Sequence, residues 1–88
     1  MTQEDDAHAA ERSTVRRLIL ELAAERGYPG PMPSDDLPLH EIGFDSLLTI
    51  RLVAALEDQF EIEFPDSALN LESFATIEST MRLVGGSR

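Results

Sequence analysis

The chain has 88 residues, with 17 acidic side chains against seven arginines, a formal charge of −10, no lysine and no cysteine. A domain of this size buries only about 60–65% of its unfolded surface and has no room for a separate catalytic domain. The charge disfavours nucleic acid and anionic membranes and favours partners with basic patches, while disulfides, thiolate metal sites and lysine Schiff bases are excluded.

Residues 1–8 are polar, carry three acids and show no apolar period, so they read as a flexible N-terminal tail ahead of a domain over residues 9–84. From Ala9 the pattern turns helical: Val15, Leu18, Ile19 and Leu22 recur at the i, i+3, i+4, i+7 spacing, with Arg16, Arg17, Glu21 and Glu25 on the other side. Gly27 is a natural stop for this first helix. No apolar run approaches the roughly 20 residues that cross a bilayer, and residues 1–6 do not form a basic-then-apolar leader. The expected location is the cytoplasm, and the expected state a monomer.

Tyr28-Pro29-Gly30-Pro31-Met32-Pro33 cannot be helix, because each proline lacks an N–H and disfavours helix in the residue before it. The connection from Gly27 to Asp45 is therefore long for so small a domain, and loops of that length are commonly functional. Leu37, Leu39, Ile42 and Phe44 predict that it is pinned to the bundle, with a turn of helix near residues 39–42. Asp35, Asp36 and Glu41 lack the register of a calcium loop, and no metal site is expected.

The most strongly patterned helix begins after Gly43-Phe44-Asp45-Ser46-Leu47 and is predicted over residues 46–60. Asp45 is a good N-cap, since its carboxylate can accept a free N–H of the first turn. Ser46 is then left uncommitted at the positive end of the helix dipole, a favourable place for a phosphate ester. On a helical wheel Thr49, Ile50, Leu52, Val53, Leu56 and Phe60 form a broad core face. Leu47, Arg51, Ala54 and Asp58 form a second stripe, with Leu48 at its edge. This stripe reads as a partner-docking face beginning beside Ser46; the plainer alternative is that Leu47 and Leu48 tuck under the loop.

Residues 61–66 read as an extended linker, and Asp66 or Ser67 can cap a short helix over Ala68, Leu69 and Leu71. The last helix is predicted from near Thr76, with Ile77, Met81 and Val84 (or Leu83) facing inward, to Gly85-Gly86, leaving residues 85–88 as a C-terminal tail. The expectation is an all-α four-helix bundle of three longer helices and one short one, with a long loop between the first two.

Leu39, Ile42, the run from Gly43 to Leu47, and Ile62-Glu63-Phe64-Pro65-Asp66 resemble the acyl and peptidyl carrier proteins, and the resemblance spans residues 15–84. It implies the acyl-carrier-protein fold, with Ser46 as the attachment point of a 4′-phosphopantetheine arm. Asp45 would help to position Mg²⁺ during attachment as well as capping the helix. The protein would then be no enzyme but a carrier. Its partners would be a phosphopantetheinyl transferase, an acyl- or aminoacyl-activating ligase or adenylation enzyme, and downstream synthase or tailoring enzymes, in a secondary-metabolite pathway of the polyketide or nonribosomal-peptide kind. Fatty-acid-type carriers usually have acids two and five residues after the serine, where this chain has Leu48 and Arg51. Peptidyl carriers often have His before the serine, where this chain has Asp45. The cargo class is left open between acyl and aminoacyl.

Two competing readings are weaker. An acidic four-helix interaction adaptor without a prosthetic group has no need of an uncommitted serine at a glycine-led helix start. A hydrolase using Ser46, His40 and Asp45 lacks both a glycine after the serine and a water-excluding pocket, and its acid is already spent on capping. His40 reads as a loop-surface residue.

Overall fold

The computed structural model describes the backbone of residues 3–86 and the side chains of residues 9–86. Three α-helices are present, α1 (Gln3–Glu25), α2 (Ser46–Phe60) and α3 (Ile77–Gly86), with 3₁₀ turns at Leu39–Ile42 and Asp66–Ala68. No strand occurs among the described residues. The helix α1 packs against both α2 and α3 and is the spine of the fold.

The start of α1 at Gln3 corrects the expected start at Ala9. The sequence of residues 3–8 has no apolar period, but alanine favours helix, and acids are stabilised at the positive end of the dipole. Of the proposed tails, residues 1, 2, 87 and 88 lie outside the described residues, and α3 continues through Gly86. At its other end α1 closes as the sequence suggests. Gly27 has φ +93°, its N–H reaches the Ala24 carbonyl at 3.0 Å, and the Tyr28 N–H reaches that of Ala23 at 3.1 Å. That pair of bonds satisfies carbonyls the helix end would otherwise leave open. The end of α2 repeats the device without a glycine: Glu61 takes the left-handed conformation (φ 54°) and the Ile62 N–H bonds to the Glu57 carbonyl at 3.1 Å.

The short helix after residue 65 is not formed as expected. Residues 66–68 make one 3₁₀ turn, and Leu69 and Leu71 are exposed rather than seated on the core. Asn70 supplies the reason. Its Oδ1 accepts the Ser73 N–H at 2.9 Å and its Nδ2 donates to the Ser67 carbonyl at 3.1 Å, so a side chain takes backbone partners that a helix would need. The fold is thus all-helical as expected, with three α-helices, and the short fourth helix is represented only by a 3₁₀ turn. Thr76 caps α3 reciprocally with Ser79: the Ser79 N–H donates to Thr76 Oγ1 at 3.0 Å and the Thr76 N–H to Ser79 Oγ at 3.1 Å.

Val15, Ile19, Leu22 and Ala23 of α1 bury against Leu48, Leu52 and Leu56 of α2, Ile77 and Val84 of α3, and Leu39, Ile42 and Phe44 of the long loop. Phe64 and Phe74, ring centroids 5.7 Å apart and edge to face, close the core from the connection between α2 and α3. On α2 the buried stripe is rotated from the expected one. Leu48 is fully buried and Ile50 is 64% exposed, which reverses their roles on the wheel. Thr49, Val53 and Phe60 stand half-buried at the margin. Because α1 is the neighbour of α2, the face turned to it is the one carrying Leu48, Leu52 and Leu56 at i, i+4, i+8.

The long loop is held at several points. The Leu39 N–H donates to the Ala75 carbonyl at 2.8 Å and the Glu78 N–H to that of Asp35 at 3.0 Å. The Asp35 carboxylate in turn accepts from Arg12 (2.7 Å) and from two nitrogens of Arg16 (2.7 and 3.0 Å). Together these fix where the loop delivers Asp45 to the head of α2.

Candidate functional site

Ser46 is the first residue of α2 and is exposed. Asp45 ahead of it is extended (φ −118°, ψ −170°), and its Oδ1 accepts the Leu48 N–H at 2.9 Å, so the expected cap is present. The cap leaves the Ser46 hydroxyl without a hydrogen-bond partner among the described residues. Gly43 makes the approach possible: it has φ +105°, a conformation costly for any residue with a Cβ, and a Cβ there would lie 3.0 Å from that of Arg26.

That close passage carries Arg26 across the loop to Asp45. Its Nη1 donates to Oδ2 at 2.8 Å and its Nη2 to Oδ1 at 3.3 Å. The guanidinium, aided by the Leu48 N–H, lowers the Asp45 carboxyl to about 2. One residue earlier, Glu25 is clasped by both terminal nitrogens of Arg51, the second at 3.1 Å, which lowers its own carboxyl pKa. Two consecutive residues at the end of α1 therefore grip the first half of α2. Nothing in the sequence pattern links residues 19 and 26 positions apart, so these pairs emerge only in the folded chain.

The proposed docking residues divide. Leu47, Arg51, Ala54 and Asp58 are all exposed, Leu47 at 60%. Leu48 is not available to a partner: it is wholly enclosed in the core that the loop residues Leu39, Ile42 and Phe44 share, as the plainer alternative has it for this residue. Arg51 is exposed but occupied by Glu25.

Two hollows flank Ser46. One, of about 300 Å³, runs along α2 between Ser46, Thr49, Ile50 and Val53 on one side and Leu69, Leu71 and Phe74 on the other. The second, of about 320 Å³, lies toward the loop, between Leu39, His40, Phe44 and Asp45 and the residues Leu71, Phe74 and Ala75. Ile50, expected in the core, and Leu69 and Leu71, expected in a helix, instead line this exposed wall. Its signal was the surplus of aliphatic residues on α2, more than one neighbouring helix could cover. No cluster of metal-ligating side chains is found among the described residues.

A serine held free at a capped helix start, between two open hollows, is the arrangement that the carrier resemblance requires. The family model described as the phosphopantetheine attachment site matches residues 14–84. The chain belongs to this carrier-protein family. An aminoacyl carrier protein of Agrobacterium fabrum is 38% identical to it over 76 residues, 80% of this chain and 92% of that one. An acyl carrier protein of Prochlorococcus marinus is 40% identical over 55 residues, 62% of this chain and 66% of that one. A non-reducing polyketide synthase of Cercospora nicotianae is 34% identical over 83 residues, 93% of this chain but only 4% of that protein. Among solved structures, a chain from the crystal structure of an engineered Bradyrhizobium japonicum glycine:[carrier protein] ligase complexed with carrier protein from Agrobacterium tumefaciens and AMP superposes with a TM-score of 0.73. The two are 30% identical, and the match covers 84% of this chain and 97% of that one.

The cofactor of this carrier family is 4′-phosphopantetheine. The head of α2 fits it, because the Ser46 hydroxyl is accessible, unbonded, and flanked by space on both sides. The acid next to it is already neutralised by Arg26, so a phosphate there would not face an uncompensated carboxylate.

Proposed function

We propose that this chain is an aminoacyl carrier: it bears 4′-phosphopantetheine on Ser46, is loaded by a separate amino-acid-activating ligase, and delivers its cargo to later enzymes of a secondary-metabolite pathway in the cytoplasm. The observation that carries the reading is the Ser46 hydroxyl, exposed and unbonded at the Asp45-capped start of α2. The aminoacyl choice is supported by the aminoacyl carrier relative, almost all of whose length is matched, and by the superposition on one chain of a structure that pairs a glycine:[carrier protein] ligase with a carrier protein.

The chain's own residues present the serine rather than activate it. No described side chain is hydrogen-bonded to the hydroxyl, and Asp45, with its carboxyl pKa at about 2, is too weak a base at neutral pH to take the proton. The proton must leave to a group of the transferase. Asp45 and Gly43 fix where the ester oxygen stands, and Arg26 keeps the neighbouring charge balanced. When bound, the arm supplies a thiol on which cargo is held as a thioester, and tethering raises the local concentration of that cargo at each partner. The exposed stripe of Leu47, Arg51, Ala54 and Asp58 is the proposed docking face for transferase and ligase.

The test is intact mass after incubation with coenzyme A, Mg²⁺ and a broad-specificity phosphopantetheinyl transferase, with Ser46→Ala alongside. The expected result is a gain of one phosphopantetheine in the wild type and none in the variant. Loading the product with amino acids or with fatty acids, each with ATP and a panel of ligases, then separates the cargo classes. No gain in a folded wild-type protein would reject the carrier assignment, and acceptance of fatty acids alone would reject the aminoacyl one.

A further inference from the structure

The surroundings of Ser46 hold one ionisable group that the attachment reading does not use. Arg12 and Arg16 are committed to Asp35, Arg17 to Glu21, Arg26 to Asp45 and Arg51 to Glu25. The hollow on the loop side of Ser46 has just two ionisable residues on its wall, His40 and Asp45. Asp45 is already paired with Arg26. His40 sits in the 3₁₀ turn Leu39–Ile42, and its backbone is fixed there: its carbonyl accepts the Gly43 N–H at 3.3 Å, and the turn is tied to Ala75 through the Leu39 N–H at 2.8 Å. His40 is therefore an exposed imidazole carried on a fixed turn; it lines the same hollow as Ser46, and its ring has no hydrogen-bond partner among the described residues.

We propose that His40 donates a hydrogen bond to the phosphodiester of the arm on Ser46 and anchors the root of that arm over the loop. The proposal rests on Ser46 being the attachment residue. A phosphodiester brings a full negative charge into a chain of net charge −10, at a place where both nearby arginines are taken. A protonated imidazole on the wall of the same hollow is the available counter-charge, and an imidazole is the side chain whose protonation adjusts near neutral pH. The groups facing it are few. Glu41 adjoins it in the chain, and Asp45, with Arg26 upon it, shares the hollow. The segment on the far wall contributes Leu71, Phe74 and Ala75, none of them charged.

Attachment should therefore raise the pKa of His40. For unit charges near hydrogen-bond distance in solvent-like surroundings, the rise is roughly 0.5–1 unit. The experiment uses apo and holo protein, each verified by intact mass. The imidazoles are titrated by carbon–proton NMR, with His8 as the reference in the same sample, and the diester is followed by its phosphorus resonance. The expected result is a His40 pKa higher in the holo form, and a phosphorus shift that titrates with the same midpoint and loses that inflection in holo His40→Gln. An unchanged His40 pKa in verified holo protein, or a phosphorus inflection that persists in His40→Gln, overturns the contact while leaving attachment intact. A wild-type chain that gains no mass overturns the attachment reading and the contact together.

Discussion

Leu47 and Leu48 are chemically identical neighbours that the fold separates into opposite roles, and truncating each to alanine measures the separation. Leu48 is fully buried among α1 and loop side chains, whereas Leu47 is 60% exposed. Leu→Ala at an enclosed site loses the transfer free energy of the removed carbons and leaves a cavity, together about 2–5 kcal/mol. The total stability of a chain this long is roughly 4–13 kcal/mol, so a loss of about 3 kcal/mol is a large part of it. Leu48→Ala should lower Tm by roughly 12–24 °C, and the urea midpoint should fall with an unchanged slope. Leu47→Ala should stay within about 0.5 kcal/mol of the wild type, as exposed substitutions do. If Leu47 belongs to the docking face, that variant should nevertheless be loaded more slowly by the ligase. Circular dichroism in urea gives the stability arm, and thioester formation by intact mass gives the functional one. Equal destabilisation by the two substitutions, or a Leu48→Ala protein as stable as the wild type, would refute the placement of α2.

Arg51→Glu sets a carboxylate against Glu25 and should both loosen the α1–α2 grip and slow ligase loading. The exchange Arg51→Glu with Glu25→Arg should restore the melting temperature; loading that recovers as well would show that Arg51 holds the fold rather than the partner. For Asp45 the folded carboxyl pKa, about 2, lies below the ordinary value of about 3.9. Its ionic contribution is therefore complete above the ordinary value and is lost as pH falls toward 2. Asp45→Asn keeps a capping oxygen but loses the charge, so its Tm deficit should be largest near neutral pH and shrink between pH 5 and 2; a deficit constant across that range would remove the Arg26 pair from the account. Gly43→Ala places a Cβ in a left-handed backbone and against Arg26, and should cost about 1–3 kcal/mol by thermal melting. An unaffected melting temperature would show that the loop relaxes there.

Much of this was legible in the sequence because it depends on local chemistry. The Asp45 cap, the glycine at residue 43, the turn over residues 39–42 and the inward stripe of α1 all follow from residues adjacent in the chain or one helical turn apart. The errors lie where a distant element decides. The aliphatic residues of α2 are so dense that several wheel arcs fit, and only the position of α1 selects Leu48 over Ile50. The apolar spacing after residue 65 suits a helix, but the Asn70 side chain competes for the backbone. The pairing of Arg26 with Asp45 and of Arg51 with Glu25 closes over spans that no periodicity marks. The same holds for His40, an ordinary loop histidine by its neighbours, which shares a hollow with Ser46 only once the loop is folded.

The turns of residues 66–74 satisfy much of their backbone from within, through Asn70 and bonds between residues three apart, and yet they form the far wall of the groove beside Ser46. The serine's position and the character of its surroundings are thus encoded in separate parts of the chain. Position is written by Gly43, Asp45 and the grip of α1, all elsewhere in the sequence from those turns. The wall can be rewritten by substitution at Leu69 or Leu71, both exposed, without disturbing the core. Such substitutions would change what the groove accommodates while leaving the proposed attachment serine at the same helix start.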